Sequence, residues 1–273
     1  MGCAQGHSLA ESENVGPRSA LRTCSQRLPL VRNVKIDPSV TSLQALKFAF
    51  DAKRTIGIDE NVQLRPTVDG KSALIRVHYP KGSTSFSATK QGRPLGGASF
   101  YSPFSQSKVL CLHYRVRFPH DFRFVRGGKL PGLYGGSAPS GGKAVTGMDG
   151  WSVRLMWRMG GEGELYEYIA NMDEKFGLSV GRGVFTFPRG QWIDIDLEVV
   201  INEPSRADGV ARLWIDGRAV IEQNDIVFAA QETPFQAGLM FSTFFGGSDE
   251  TWATPKDQYI DFGDFRMYAG NSR

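Results

Sequence analysis

The sequence predicts an all-β fold, a sandwich of antiparallel sheets. Apolar residues recur with a period of two in one segment after another, as strands with one face in a core require. The 32 glycines among 273 residues supply the many turns such a fold needs. No long helical pattern interrupts the series of short strands and glycine-rich turns.

The elements follow in order. Residues 1–30 are polar, Ser-rich and patternless, and read as a flexible arm. Residues 31–273 read as a single domain without internal boundary or repeat. A short helix is expected over 43–50, with Thr41 or Ser42 as N-cap. A strand over 74–80 follows the Asp69-Gly70 turn. In 109–118, Leu110, Leu112, Tyr114, Val116 and Phe118 alternate with His113, Arg115 and Arg117. In 151–158, Trp151, Val153, Leu155 and Trp157 share one face, while Ser152, Arg154 and Arg158 share the other. The segment 164–171 repeats that geometry with Tyr166 and Tyr168. Over 192–200, Ile193, Ile195, Leu197 and Val199 alternate with Asp194, Asp196 and Glu198. A hairpin over 210–222 turns at Asp216-Gly217, and two more strands, 238–245 and 259–269, close the chain.

Composition excludes little. A net charge of +4 and a pI near 9.0 tolerate an acidic partner without identifying one. Cys3, Cys24 and Cys111 are odd in number and imply no disulfide framework; Cys111 reads as a packed thiol in its strand, and Cys3 and Cys24 are free to pair. The N-terminus has no apolar core of a signal peptide. Gly2 opens like a myristoylation site, but Gly6 stands where Ser or Thr is wanted. No run approaches the roughly 18 apolar residues of a membrane helix.

Several motifs fail on their context. Gly177–Gly181 has nucleophile-elbow spacing around Ser179, yet a strand-like stretch follows where a helix is required, so it reads as a turn. The glycine-rich stretch 127–143 never meets phosphate-loop spacing. His7, His78, His113 and His120 show no zinc-ligand spacing. Asp194-x-Asp196-x-Glu198 resembles a hydrolase acid/nucleophile strand. Residues four apart on a strand are ~13 Å apart at Cα, however, and retaining hydrolysis needs carboxyls ~5–5.5 Å apart. A solvated outer strand face is the simpler expectation.

One constellation is different. Lys129 is expected in a loop, between glycines and Leu-Pro-Gly, that holds it rigidly. Ser152 and Arg154 share a strand face, and so do Tyr166 and Tyr168 one strand later; the short link between the strands makes them neighbours. Any one of these alone is ordinary surface or packing. Together they form a patch of hydroxyl, cation and phenols suited to uronate β-elimination. That reaction removes the C5 proton, α to a carboxylate, and expels the 4-linked oxygen. It needs a cation on the carboxylate, a base at C5 and an acid at the leaving oxygen. Tyr and Lys have ordinary pKa values of ~10 and ~10.4, so either needs a lowered value to act as base near neutrality. Arg154 and Lys129, as neighbouring cations, are expected to lower each other and to favour a phenolate.

At these residues the chain resembles polysaccharide lyase family 14, the alginate and glucuronan lyases. The resemblance runs from about Leu74 to Tyr268. It rests on VHYPKGS, GGASFY, FRFVRGGKLPGLYGG, WSVRLMWR, ELYEYIANM, GVFTFPRGQW and FSTFFGGSDETWATPKDQYIDF. It implies a β-jelly roll of two antiparallel sheets with a concave substrate groove, and no metal or cofactor. It implies a catalytic set of Lys129, Ser152, Arg154, Tyr166 and Tyr168: Lys129 or Tyr168 as base, Tyr166 or Tyr168 as acid, Arg154 with Ser152 on the carboxylate. Ser99 stands where the family is expected to carry a longer polar residue. The expected partner is an acidic polysaccharide, with no nucleic acid and no membrane; the protein is expected as a monomer, extracellular or virion-associated. The competing readings are a non-catalytic carbohydrate-binding jelly roll and a glycoside hydrolase built on Asp194 and Glu198.

Overall fold

The computed structural model describes residues 21–39, 42–204, 206–231 and 235–271. Residues 1–20, with Gly2, Cys3, Gly6 and His7, and Thr41 lie outside them. In chain order the strands begin with β1 (Leu30–Asn33), β2 (Lys53–Ile56), β3 (Val62–Pro66), β4 (Ala73–Tyr79) and β5 (Ala98–Ser105). They continue as β6 (Val109–Arg117), β7 (Gly127–Gly136), β8 (Gly150–Arg158), β9 (Gly163–Tyr168) and β10 (Leu178–Val180). The last are β11 (Trp192–Val200), β12 (Gly209–Ile215), β13 (Arg218–Ile226), β14 (Ala237–Phe245) and β15 (Gln258–Gly270). The helix α1 (Leu43–Phe50) has the expected bounds, and the Ser42 hydroxyl caps it by accepting from the Gln44 N–H at 3.2 Å.

The strands form two antiparallel sheets. A back sheet of eight runs β13-β12-β11-β6-β15-β4-β3 with β1 added on β15, and a front sheet of seven runs β10-β9-β8-β7-β14-β5-β2. The period of two places the predicted apolar faces between them. Trp151, Val153, Leu155 and Trp157 of β8 face Ile193, Ile195, Leu197 and Val199 of β11 across one continuous core. Trp157 anchors one end of it, with edge-on contacts to Tyr79, Phe118, Phe122 and Phe245.

Four expectations are corrected here. Lys129 lies in a strand, not a loop: β7 pairs with β8 on one side and β14 on the other, and that double ladder overrides the local glycines. A register shift between Leu130 and Gly132 accommodates Pro131. Of the expected arm, residues 21–30 pack against the back sheet. The Trp214 indole N–H donates to the Leu21 carbonyl at 3.0 Å. Cys24 and Cys111 form a disulfide with Cα atoms 5.9 Å apart, so Cys111 is not a free thiol. A polar composition concealed that docking, because its anchors are one cystine, the Arg27–Glu198 ion pair and the Trp214–Leu21 hydrogen bond rather than an apolar stripe.

The carboxylate ladder of β11 is the fourth. Asp194, Asp196 and Glu198 do point to the outer face of the back sheet, but only Asp194 is solvated. Glu198 is buried between Arg27 at 2.7 Å and Arg212 at 2.8 Å, and Asp196 is buried beside His113 at 3.4 Å. The docked segment around Cys24 covers this end of the ladder.

Candidate active site

The outer face of the front sheet carries the predicted set. Strands β8 and β9 pair so that Arg154 stands opposite Tyr166 and Ser152 opposite Tyr168. On the other flank of β8, Lys129 of β7 stands opposite Met156. All five predicted residues therefore converge on one patch. Their exposure is unusual for an outer face: Lys129 is 8% exposed, Arg154 2%, Tyr168 1% and Ser152 0%. Polar side chains that are outside the core yet hidden from solvent mark a recess, and the segment 137–143 forms part of its wall. Ser152 Oγ donates to the Pro139 carbonyl at 2.7 Å, and the Gly142 N–H donates to the Tyr168 hydroxyl at 3.0 Å. Ser152 spends its only proton on that loop, and the loop in turn holds Tyr168.

Cation chemistry dominates the site. Among the described residues Arg154 has no carboxylate partner, and its buried Nε has no hydrogen bond. Lys129 Nζ lies 3.2 Å from the Tyr166 ring centroid and packs against Met156 Sδ. Burial, then the positive charges of Arg154 and Arg158, hold the Lys129 amine well below its ordinary pKa. Burial also pulls Arg154 downward, although a guanidinium keeps its proton in proteins. The expected phenolate is not found at Tyr166. Burial and the adjacent Tyr168 push it up to about 12, outweighing the downward pull of Arg154 and Arg158. Of these two groups, Lys129 has an affinity shifted towards the neutral base and Tyr166 one shifted towards the retained proton.

The sheet adds residues that sequence reasoning passed over. Glu164, two before Tyr166, is completely buried; its carboxylate accepts from Arg158 Nε and Arg182 Nε, each at 2.7 Å, and from Ser179 Oγ. Burial raises Glu164, but these donors outweigh it and leave it below its ordinary pKa, an ionised brace beside the site. Ser179 thus sits in edge strand β10, neither in the expected turn nor in a nucleophile elbow. The period-two rule could have marked Met156 and Glu164 as groove residues, since they stand two positions from Arg154 and Tyr166. Register across the sheet then aligns Ser179, Tyr166, Arg154, Gly132, Met240, Tyr101 and Lys53 in one row crossing every strand. Ser99 faces the same groove opposite Ser242, both nearly buried. A short side chain there leaves the floor deep.

Cys24, Cys111 and Asp196 are the one group of potential metal ligands among the described residues close enough to share a cation. The thiols are joined in the disulfide, and the cluster lies on the far side of the back sheet. Asp194 and Glu198 lie on that same far side, so neither reaches the groove, which removes the glycoside hydrolase reading.

Comparison with known proteins agrees with this geometry. The family described as polysaccharide lyase 14 matches residues 67–265. The chain belongs to polysaccharide lyase family 14. A marine alginate lyase of that family from Aplysia kurodai has 30% sequence identity, with 89% of this chain and 100% of that one covered at a TM-score of 0.76. An alginate lyase from Chlorella virus has 19% identity, with 89% and 100% covered at a TM-score of 0.70. An endo-β-1,4-glucuronan lyase from the fungus Trichoderma reesei has 10% identity, with 89% and 96% covered at a TM-score of 0.53. The last two share the fold. No curated protein matches the chain. The protein is thus a polysaccharide lyase on a β-jelly roll, and no helix among its described residues is long and apolar enough to cross a membrane.

Proposed function

We propose that this lyase cleaves a 1,4-linked uronate polymer, alginate in the first instance and glucuronan as the alternative, by β-elimination without a metal. The observation that carries the proposal is a buried lysine, biased to the neutral amine, beside a buried arginine that no carboxylate of the described residues satisfies. In this reading the substrate carboxylate pairs with Arg154, so the negative charge that builds as C5 loses its proton meets a fixed cation in a low-dielectric recess. Lys129 takes the C5 proton. The electron pair forms the C4–C5 double bond, the C4–O bond breaks, and the leaving oxygen takes a proton from a tyrosine.

Tyr168 suits the acid role because its oxygen already accepts the Gly142 N–H, which leaves its own proton for the groove. Tyr166 carries Lys129 on its ring and helps position it. Ser152 acts by anchoring the 137–143 loop through Pro139 rather than by touching the carboxylate. After the reaction Lys129 carries a proton between two arginines, a state that favours its release. The Cys24–Cys111 disulfide suits an oxidising compartment, where such a polymer is met.

The test is ultraviolet absorbance with polymannuronate, polyguluronate and glucuronan in parallel, each with and without a chelator. The expected result is a growing double-bond band in at least one, unchanged by chelation, with the fastest reaction naming the substrate. Reducing ends without the band overturn elimination, and strong loss on chelation overturns the metal-free mechanism.

A further inference from the structure

A second cationic feature stands at the opposite end of the groove. Arg54, in β2, has φ of 50°, in the left-handed region that non-glycine residues rarely occupy, and the ladder of β2 on β5 shifts register between Lys53 and Ile56. Irregularities of this kind re-aim a side chain, and their cost calls for a return elsewhere. Here the guanidinium is turned back over the sheet, with its Cζ 3.9 Å from the centroid of the Tyr101 ring. Tyr101 is held edge-to-face by Tyr134 at 5.1 Å, and burial raises the pKa of the Tyr134 hydroxyl while the nearby charge of Arg54 pulls it down. Asp51, the nearby acid, pairs with Lys53 instead, and among the described residues no carboxylate pairs with Arg54. The result is an exposed arginine whose guanidinium lies over an aromatic ring and, among the described residues, has no carboxylate partner, a group suited to a planar anion.

Its place on the sheet gives the feature a meaning. Tyr101 stands in register with Met240, Met240 with Gly132, and Gly132 with Arg154. Three strand spacings therefore separate Arg154 from Tyr101, over whose ring the Arg54 guanidinium lies, roughly 14 Å, a span of several sugar residues. Between them in this row stand Gly132 and Met240, neither of them charged. A side chain at Gly132 would collide with the backbone of Val153 and Arg154, and Met240 is buried. A polymer held at Arg154 and running across the strands brings another carboxylate towards Arg54.

We propose that Arg54, on its Tyr101–Tyr134 platform, is a distal subsite for the carboxylate of a uronate residue several units from the one being cleaved. The subsite makes turnover depend on chain length. It rests on the elimination reading above for the direction of the substrate. Pre-ordering matters: a guanidinium already stacked loses little further freedom when the anion arrives.

The experiment compares wild type, Arg54→Ala and Tyr101→Leu on a uronate polymer and on a trisaccharide too short to span the two sites. Arg115→Ala, on the outer face of the back sheet, is the control. Retardation in gels containing the polymer is measured alongside. A lost hydrogen bond to a charged group predicts a fall in kcat/KM on polymer of roughly tenfold or more, mostly in KM. The polymer-to-trisaccharide ratio should fall with it, retardation should weaken, and Arg115→Ala should match wild type. An unchanged ratio in both groove variants overturns the subsite. If wild type eliminates nothing, the elimination reading fails by itself. The gels then decide the subsite alone, and equal retardation of wild type and Arg54→Ala overturns it.

Discussion

Replacing Lys129 by methionine should destroy activity and stabilise the protein at once. The side chain is 8% exposed, has no carboxylate partner among the described residues, and faces two arginines. Burying a polar group without compensation costs about 1–3 kcal/mol in protein mutational series. Methionine nearly conserves the volume and meets Met156, so most of that cost should be recovered. At about 2–4 °C per kcal/mol for a domain somewhat smaller than this one, the gain is a measurable rise in melting temperature.

The sign with pH is the sharper test. The folded pKa of Lys129 lies below its unfolded value near 10.5, so between the two the unfolded chain binds more protons and wild-type stability rises with pH. The advantage of Lys129→Met should therefore be largest in mildly acidic buffer and shrink towards pH 10. Loss of a general base predicts a rate reduced by about 10²–10⁴-fold. Thermal melts from pH 6 to 10, beside initial rates by absorbance, measure both. A variant less stable than wild type at pH 6, with a difference that does not change with pH, would falsify the assignment of Lys129 as a destabilised, neutral base.

Other consequences lie away from the groove. The Cys24–Cys111 bridge spans 87 residues, which in the chain-entropy account is worth about 4–5 kcal/mol. Cys24→Ala/Cys111→Ala should lower the denaturation midpoint substantially while leaving kcat of the folded fraction intact, and an unchanged midpoint refutes the estimate. His113 is faced by Asp194, Asp196, Asp264 and Arg266 on the back sheet. Burial pulls its pKa down, but Asp196 and Asp264 prevail and raise it from 6.5 to about 9. That contribution, up to about 3 kcal/mol, is complete below pH 6.5 and lost as pH rises through 9. His113→Asn should flatten this part of the stability profile, and an identical slope in the variant would sink the ion-pair account.

What the sequence determined by itself is what repeats locally. Alternation in 109–118, 151–158 and 192–200 assigned the core faces correctly, because a strand's side chains leave only two choices and one of them is apolar. The same rule joined Ser152 to Arg154 and Tyr166 to Tyr168, and a short connection made their strands neighbours. The family segments around Lys129 supplied the remaining member of the patch. Tertiary structure decided everything that depends on partners distant in the chain. The Cys24–Cys111 bridge, the sheltering of Glu198 by Arg27, and the meeting of Arg54 with Tyr101 and Tyr134 join segments whose local patterns do not announce one another. Protonation belongs to the same class. Lys129 and Tyr166 depart from their ordinary values chiefly through burial, a property of the recess as a whole that no spacing along a strand encodes.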